Sequence, residues 1–332
     1  VSDPLERLRT LPRRPLAHLP TPLLPAPNLR AALGPDAPEI LLKMDAETGM
    51  GLGGNKVRKL EMVLAPERLE GVTTLVTAGG PQSNHCRVTA AAAARLGLRC
   101  ILVIGGEAGH PPRGNALLHR LFGAEIRTVA RREDRAGAME EVAREEAEAG
   151  RRARVIPVGA SDGLGSLGYA RAAVELTEQL AALPPLPDPA RTWIFVCASS
   201  CGTVAGLLLG LAILGRTDVR LVAVSADVSA FDLRVEALRL AREGAEILGF
   251  PGPVPEGALA AADEFVGRGY GVPTPAGDEA TQLFGRTEGV VLDPVYTAKA
   301  ASGMLAWIRK GSVPRDHRVV FVHTGGHPAL LA

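Results

Sequence analysis

Gly49-Met50-Gly51-Leu52-Gly53-Gly54-Asn55-Lys56-Val57-Arg58-Lys59-Leu60-Glu61 decides how this chain is read. The apolar run Ile40 to Leu42 precedes it, and a helix-like stretch, Leu60 to Leu69, follows it. Glycines let backbone approach a ligand closely, because no Cβ stands in the way. Lys56 is delivered at the far edge of that turn, where strand gives way to helix. The 332-residue chain holds five lysines, Lys43, Lys56, Lys59, Lys299 and Lys310, and leaves its other basic work to arginine. Arginine cannot lose its proton, whereas a shielded lysine can, and it then forms Schiff bases. The plainer reading is a solvated lysine in the first turn of a helix.

Outward from this stretch, apolar runs alternate with helical ones. Strands are expected at Glu39–Met44, Thr74–Ala78, Cys100–Ile104, Glu125–Thr128, Arg154–Val158, Thr192–Cys197, Arg220–Ser225, Val290–Leu292 and Arg318–His323. Helical stretches between them include Arg87–Leu96, Gly137–Glu148, Gly168–Leu183 and Phe231–Leu248. This alternation predicts an α/β fold of parallel sheets covered by helices on both faces. Residues 1 to 38 are proline-rich and read as an irregular arm. The stretch 183–189 reads as a surface linker, and Pro251–Val272 as another irregular region.

The bulk numbers exclude several classes. A net charge of +1 and 4% aromatic residues argue against nucleic acid and anionic membranes as partners. No apolar run reaches the ~20 residues that span a bilayer. Val1 to Pro15 is polar and proline-containing, unlike a secretory signal. Cys86, Cys100, Cys197 and Cys201 form no CxxC pair, which fits a cytoplasmic protein without structural zinc.

In open parallel sheets, ligands sit off the carboxyl ends of strands. Four further loops stand there. Gly79-Gly80-Pro81-Gln82-Ser83-Asn84-His85 either caps a helix or forms an anion pocket. Ala198-Ser199-Ser200-Cys201-Gly202-Thr203 precedes the apolar helix Val204–Leu214 and reads as a phosphate cradle. Cys201 reads as a small loop residue rather than a nucleophile, since no partner base is evident. Asp293-Pro294-Val295-Tyr296-Thr297 puts Tyr296 at the entrance of the helix Ala298–Ile308, either packed or free to carry a proton. Thr324-Gly325-Gly326 suits close approach of a flat ligand, and His323 reads as a buried, satisfied histidine.

Two short motifs compete. Gly49 to Gly54 matches G-x-G-x-x-G, but the next strand ends in Thr77-Ala78-Gly79 without the acid a dinucleotide fold needs. Gly159-Ala160-Ser161-Asp162-Gly163 matches the esterase elbow G-x-S-x-G, with His323 or His327 as its base. An elbow needs its helix to begin at once, and the next helix is expected only at Gly168. A binding protein without catalysis is a third class. It needs the pocket but no reactive lysine.

Five motifs in order carry a family resemblance: Gly53-Gly54-Asn55-Lys56-x-Arg58-Lys59-Leu60-Glu61, Gln82-Ser83-Asn84-His85, Gly267-Arg268-Gly269-Tyr270-Gly271-Val272-Pro273, Asp293-Pro294-Val295-Tyr296-Thr297-x-Lys299-Ala300 and His323-Thr324-Gly325-Gly326. From about residue 12 to its end, the chain resembles the D-cysteine desulfhydrase and 1-aminocyclopropane-1-carboxylate deaminase family. These are pyridoxal-phosphate enzymes with the tryptophan synthase β-like fold. The resemblance implies two three-layer α/β domains, a larger one from 1–56 and 171–332 and a smaller inserted one from 57–170. It also implies a cytoplasmic homodimer acting on a small amino acid, with no metal.

The resemblance assigns roles residue by residue. Lys56 would hold pyridoxal 5'-phosphate as a Schiff base, and Asn84 would bond its 3' oxygen. Ser83, Asn84 and His85 would receive the substrate carboxylate, with Ser83 as a proton relay. Ser199, Ser200, Cys201, Gly202 and Thr203 would bind the phosphate, although the family usually has glycine where Ser199 stands. Thr324 would face the pyridine nitrogen, while Tyr270 and Tyr296 would line the substrate side. The implied reaction is α,β-elimination, with D-cysteine giving pyruvate, ammonia and hydrogen sulfide. Cyclopropane deamination and lysis of other β-substituted alanines such as L-cysteate are the alternatives. A non-pyridoxal hydrolase or nucleotide-binding protein is remoter still. Position 297 bears on the choice, because the deaminases carry glutamate there and this chain carries Thr297. A carboxylate beside the pyridine nitrogen would favour its protonation.

Overall fold

The computed structural model describes residues 3–106, 111–187 and 190–332. Within the proline-rich arm lie α1 (Pro4–Thr10), β1 (Leu23–Pro25) and α2 (Pro27–Leu33), so the arm is not irregular throughout. Both helices take a proline in their first turn, where its missing N–H costs no bond. Strand β1 lies at a sheet edge, which tolerates Pro25. The chain continues with β2 (Glu39–Lys43), α3 (Lys56–Val63), β3 (Thr74–Gly79), α4 (Asn84–Leu96), β4 (Arg99–Gly105), α5 (Gly114–Leu121) and β5 (Glu125–Val129). Then come α6 (Arg135–Glu148), β6 (Ala153–Val155), α7 (Gly163–Ala181), β7 (Thr192–Ala198), α8 (Gly202–Ile213), β8 (Val219–Ser225) and α9 (Ala230–Leu248). The last elements are β9 (Leu259–Ala262), α10 (Pro275–Glu288), α11 (Thr297–Arg309) and β10 (Arg318–Val322).

The strands make two sheets, as the alternating pattern predicts. The larger has the order β1-β2-β10-β7-β8-β9, with every pairing parallel except β1 on β2. The smaller has the order β5-β4-β3-β6 and is parallel throughout. Alternate side chains of β7 enter different cores. Ile194 and Val196 pack with α7, α8 and α9, while Trp193, Phe195 and Cys197 pack with α10 and α11. Burial on both faces is why β7 reads as one continuous apolar run.

Several expectations fail locally. Val290–Leu292 is not a strand; it is irregular chain after the left-handed cap at Gly289. Strand β9 and helix α10 are absent from the sequence reading. The run Leu259-Ala260-Ala261-Ala262 carries no β-branched residue, so pairing with β8 decides its conformation. Strand β6 stops at Val155 rather than Val158, two residues before Pro157, which cannot donate to a ladder. Helix α3 begins at Lys56 and ends at Val63, with a separate 3₁₀ turn at Pro66–Arg68. Helix α7 begins at Gly163, five residues before the expected start, and the division at 170 runs through it. Asp188 and Pro189 of the expected linker lie outside the described residues.

Candidate active site

The carboxyl ends of β10, β7 and β3 and the loop after β2 converge on one cleft. Lys56 opens α3 on its wall. The preceding glycines are tied to the end of β10: Ala46 N donates to His323 O at 2.8 Å, and Asn55 N to Thr324 O at 3.0 Å. Gly53 has a φ of 66°, and a Cβ on it would lie 1.9 Å from Ala46 O. Only glycine fits there. The Lys56 amine has no hydrogen-bond partner among the described residues, and burial pulls its pKa down to about 8. It is therefore a shielded amine, not a solvated one.

Helix α4 starts at Asn84, with Ser83 as its cap, and Ser83 Oγ accepts from Cys86 N at 3.2 Å. Ser83, Asn84 and His85 all line the cleft. Thr77 Oγ1 donates to Ile156 O and so accepts from His85 Nε2, both at 2.8 Å. His85 Nδ1 is left as a buried acceptor without a partner. Burial holds that imidazole well below its usual pKa, so it stays neutral. A carboxylate at this helix start would meet backbone N–H groups, not a histidine cation.

The loop 199–203 opens α8, whose first turn is wholly buried. Cys201 adopts φ 58°, and its thiol is pushed up to about 12 by burial, which removes it as a nucleophile. The strongest missed residue is here. Lys59 Nζ donates to Ser161 Oγ at 2.6 Å, and Ser161 Oγ donates to Ser200 Oγ at 2.8 Å. A Cβ on Gly202 would lie 2.7 Å from Lys59 Nζ, so the amine abuts the helix N-terminus. Asn55 Nδ2 donates to Thr203 Oγ1 at 2.9 Å, although Asn before a helix reads as a cap. Ser199 Oγ donates to Asp227 Oδ2 at 3.1 Å. Ser200 and Thr203 are thus held by side chains from outside the loop, and within it Gly202 N donates to Ser200 O at 2.8 Å. The esterase reading fails here, although α7 does begin at Gly163. Ser161 belongs to the lysine chain, while His323 donates from Nε2 to Val291 O and accepts at Nδ1 from Gly325 N.

Tyr296 and Tyr270 share a hydrogen bond between their hydroxyls and stack edge to face at 5.9 Å. Burial holds the Tyr296 phenol well above its usual pKa, so it keeps its proton. Buried Lys299 positions Tyr270 by donating to Val266 O and Gly269 O, both at 2.9 Å. Thr324 lines the cleft, but Thr297 does not. Thr297 is fully buried and its hydroxyl donates to Asp293 Oδ1 at 2.7 Å. Position 297 therefore acts from behind the wall, and the hydroxyl at the cleft is that of Thr324.

A parallel α/β fold with a shielded lysine at one strand end and an anion cradle at another defines a cofactor enzyme of the Schiff-base type. The family model "Pyridoxal-phosphate dependent enzyme" matches residues 15–325, and the chain belongs to that family. It is 38% identical over 334 residues to the D-cysteine desulfhydrase of Salmonella choleraesuis (strain SC-B67), covering 99% of this chain and 98% of the relative. The solved structure of an ACC deaminase homologue matches with a TM-score of 0.85 and 34% identity, over 100% of this chain and 97% of that one. A fungal L-serine ammonia-lyase from Rhizomucor miehei shares the fold, with a TM-score of 0.65 and 22% identity over 95% and 96% of the two chains.

The residues present fit pyridoxal phosphate. The unpartnered Lys56 amine can meet its aldehyde, and the α8 start, with Lys59 behind it, can meet its phosphate.

Proposed function

We propose that this enzyme is a lyase that eliminates the β-substituent of an amino acid, D-cysteine first among them. The products are pyruvate, ammonia and hydrogen sulfide. The unpartnered Lys56 amine beside a hydrogen-bonded tyrosine pair carries this reading, since elimination needs a base at Cα and a proton source near Cβ. The desulfhydrase name of its bacterial relatives supports the same substrate.

The N–H groups at the α4 start, with Ser83, receive the substrate carboxylate. Asn84 would donate to the 3' oxygen of the cofactor, Thr324 would face its pyridine nitrogen, and Ser199 to Thr203 with Lys59 would hold its phosphate. Pyridoxal phosphate supplies the electron sink that makes the Cα proton acidic. Lys56 removes that proton, directly or relayed through Ser83 or Tyr296. The Cα–Cβ double bond forms as the sulfur leaves Cβ with its electron pair, and the Tyr296–Tyr270 pair supplies a proton to it. Hydrolysis of the released enamine gives pyruvate and ammonia.

The structural likeness to an ACC deaminase homologue favours cyclopropane deamination as a second reading. Against it, Thr297 offers no carboxylate and its hydroxyl is spent on Asp293. The proposal includes a larger lobe of 1–56 and 171–332 and an inserted lobe of 57–170, supported by the two separate sheets. It also includes the cytoplasmic homodimer that the family resemblance implies, which light scattering of purified protein tests for its dimer part. No helix among the described residues is long and apolar enough to cross a membrane. A panel of D- and L-amino acids with different Cβ leaving groups, read by pyruvate and sulfide release, tests the reaction. D-cysteine should give both at equal rates; pyruvate-free turnover of the cyclopropane acid alone would favour the second reading.

A further inference from the structure

Arg87 is the largest fully buried side chain among the described residues, and none of its hydrogen-bond acceptors is charged. One of its nitrogens donates to Gly53 O at 2.6 Å and another to Asn115 Oδ1 at 3.3 Å, while Nε has no partner. A buried guanidinium without a carboxylate is costly, so its position calls for a physical reason. Burial, only partly offset by the charge of Asp293, pulls it down to about 10.

The contacts run in one direction. Guanidinium can only donate, so Asn115 must turn its oxygen toward Arg87. The other end of the same amide confirms this, because Asn115 Nδ2 lies 2.8 Å from Gln82 O, which can only accept. The same Nδ2 donates to Asn84 Oδ1, also at 2.8 Å. Asn84 must then turn its own Nδ2 away, and that nitrogen has no partner among the described residues although Asn84 lines the cleft.

We propose that Asn115 is a positioning residue: held at its oxygen by Arg87 and at its nitrogen by the Gln82 carbonyl, it fixes the polarity of Asn84, so that the cleft receives an N–H donor and never a carbonyl. The site then selects the ionised form of an oxygen on the ligand ring. This rests on the assignment of Asn84 to the cofactor. Gln82 and Gly53 are held by the same two residues, so α4 and the lysine loop share one anchor.

The visible spectrum and affinity of bound pyridoxal phosphate test it. The control is Asn84→Ala, which should move the band to shorter wavelength as the ring oxygen gains a proton. Arg87→Gln can present either amide end, and Asn115→Asp can pair with Arg87 but cannot donate to Asn84. Asn115→Asp should reproduce the control's shift and weaken cofactor binding roughly ten- to hundredfold, while Arg87→Gln, with the Gln82 carbonyl still holding the Asn115 amide, should shift the band less. Arg87→Lys, still a pure donor, should keep the parental band. Should Arg87→Gln not fold, Asn115→Asp decides alone, because its carboxylate gains the Arg87 guanidinium as a counter-charge. A shifted Asn84→Ala beside an unshifted Asn115→Asp would overturn the relay. An unshifted Asn84→Ala would overturn the assignment of Asn84 itself, and the relay with it.

Discussion

At the residue scale, chemistry concentrates on side chains that burial has altered. Lys56→Ala should remove nearly all turnover, as measured by pyruvate release with D-cysteine. Retention of the parental rate would sink its role as base. Tyr296→Phe should slow elimination by ~10²–10⁴-fold while the protein stays coloured. Loss of colour instead would make that tyrosine a structural support. Lys56 was legible because four glycines crowd the seven positions 49–55 just ahead of one of the chain's few lysines; its neighbours in space were not. Lys59 meets Ser161 across 102 residues, and Arg87 meets Asn115 across 28. No local pattern announces such pairs, because each residue alone looks like a solvated charge or a loop amide. Thr297 misled for a related reason: its place in the motif was readable, but the direction of its hydroxyl was not.

At the element scale, α3 must hold Lys56 still. Arg58, two residues on, pairs with both Asp45 and Glu175, at 2.9 and 2.8 Å. Tyr169 of α7 donates to Asp45 Oδ2 at 2.5 Å, so the network joins β2, α3 and α7. Asp45→Asn leaves a buried guanidinium short of a counter-charge and should cost ~3–5 kcal/mol in urea unfolding. An unchanged midpoint would show that the network does not anchor α3. Strands β3, β4, β7, β8 and β10 were legible because both-faced burial gives each a continuous apolar run. Strand β9 was not, since pairing with β8 rather than propensity decided it, and Val290–Leu292, apolar but unpaired, forms no strand.

At the scale of the whole molecule, two sheets aim their strand ends at one cleft, and the cleft excludes enough water to retune an amine. The sign of that effect is testable. Lys56 falls from 10.5 in the open chain to about 8 when folded, so the folded form prefers it neutral. The cost of burying its charge is fully present below about pH 8 and fades as pH climbs toward 10.5. Only the neutral amine attacks an aldehyde. Apoprotein mixed with pyridoxal phosphate should therefore gain colour about tenfold faster per pH unit below that midpoint, and level off above it. A rise continuing unbroken to pH 10 would mean a solvated lysine. The most direct measurement is hydride reduction of the coloured protein followed by peptide mass analysis. The predicted result is a single pyridoxyl adduct on the peptide that contains Lys56. Colourless protein with no adduct, or an adduct on another lysine, would contradict the account.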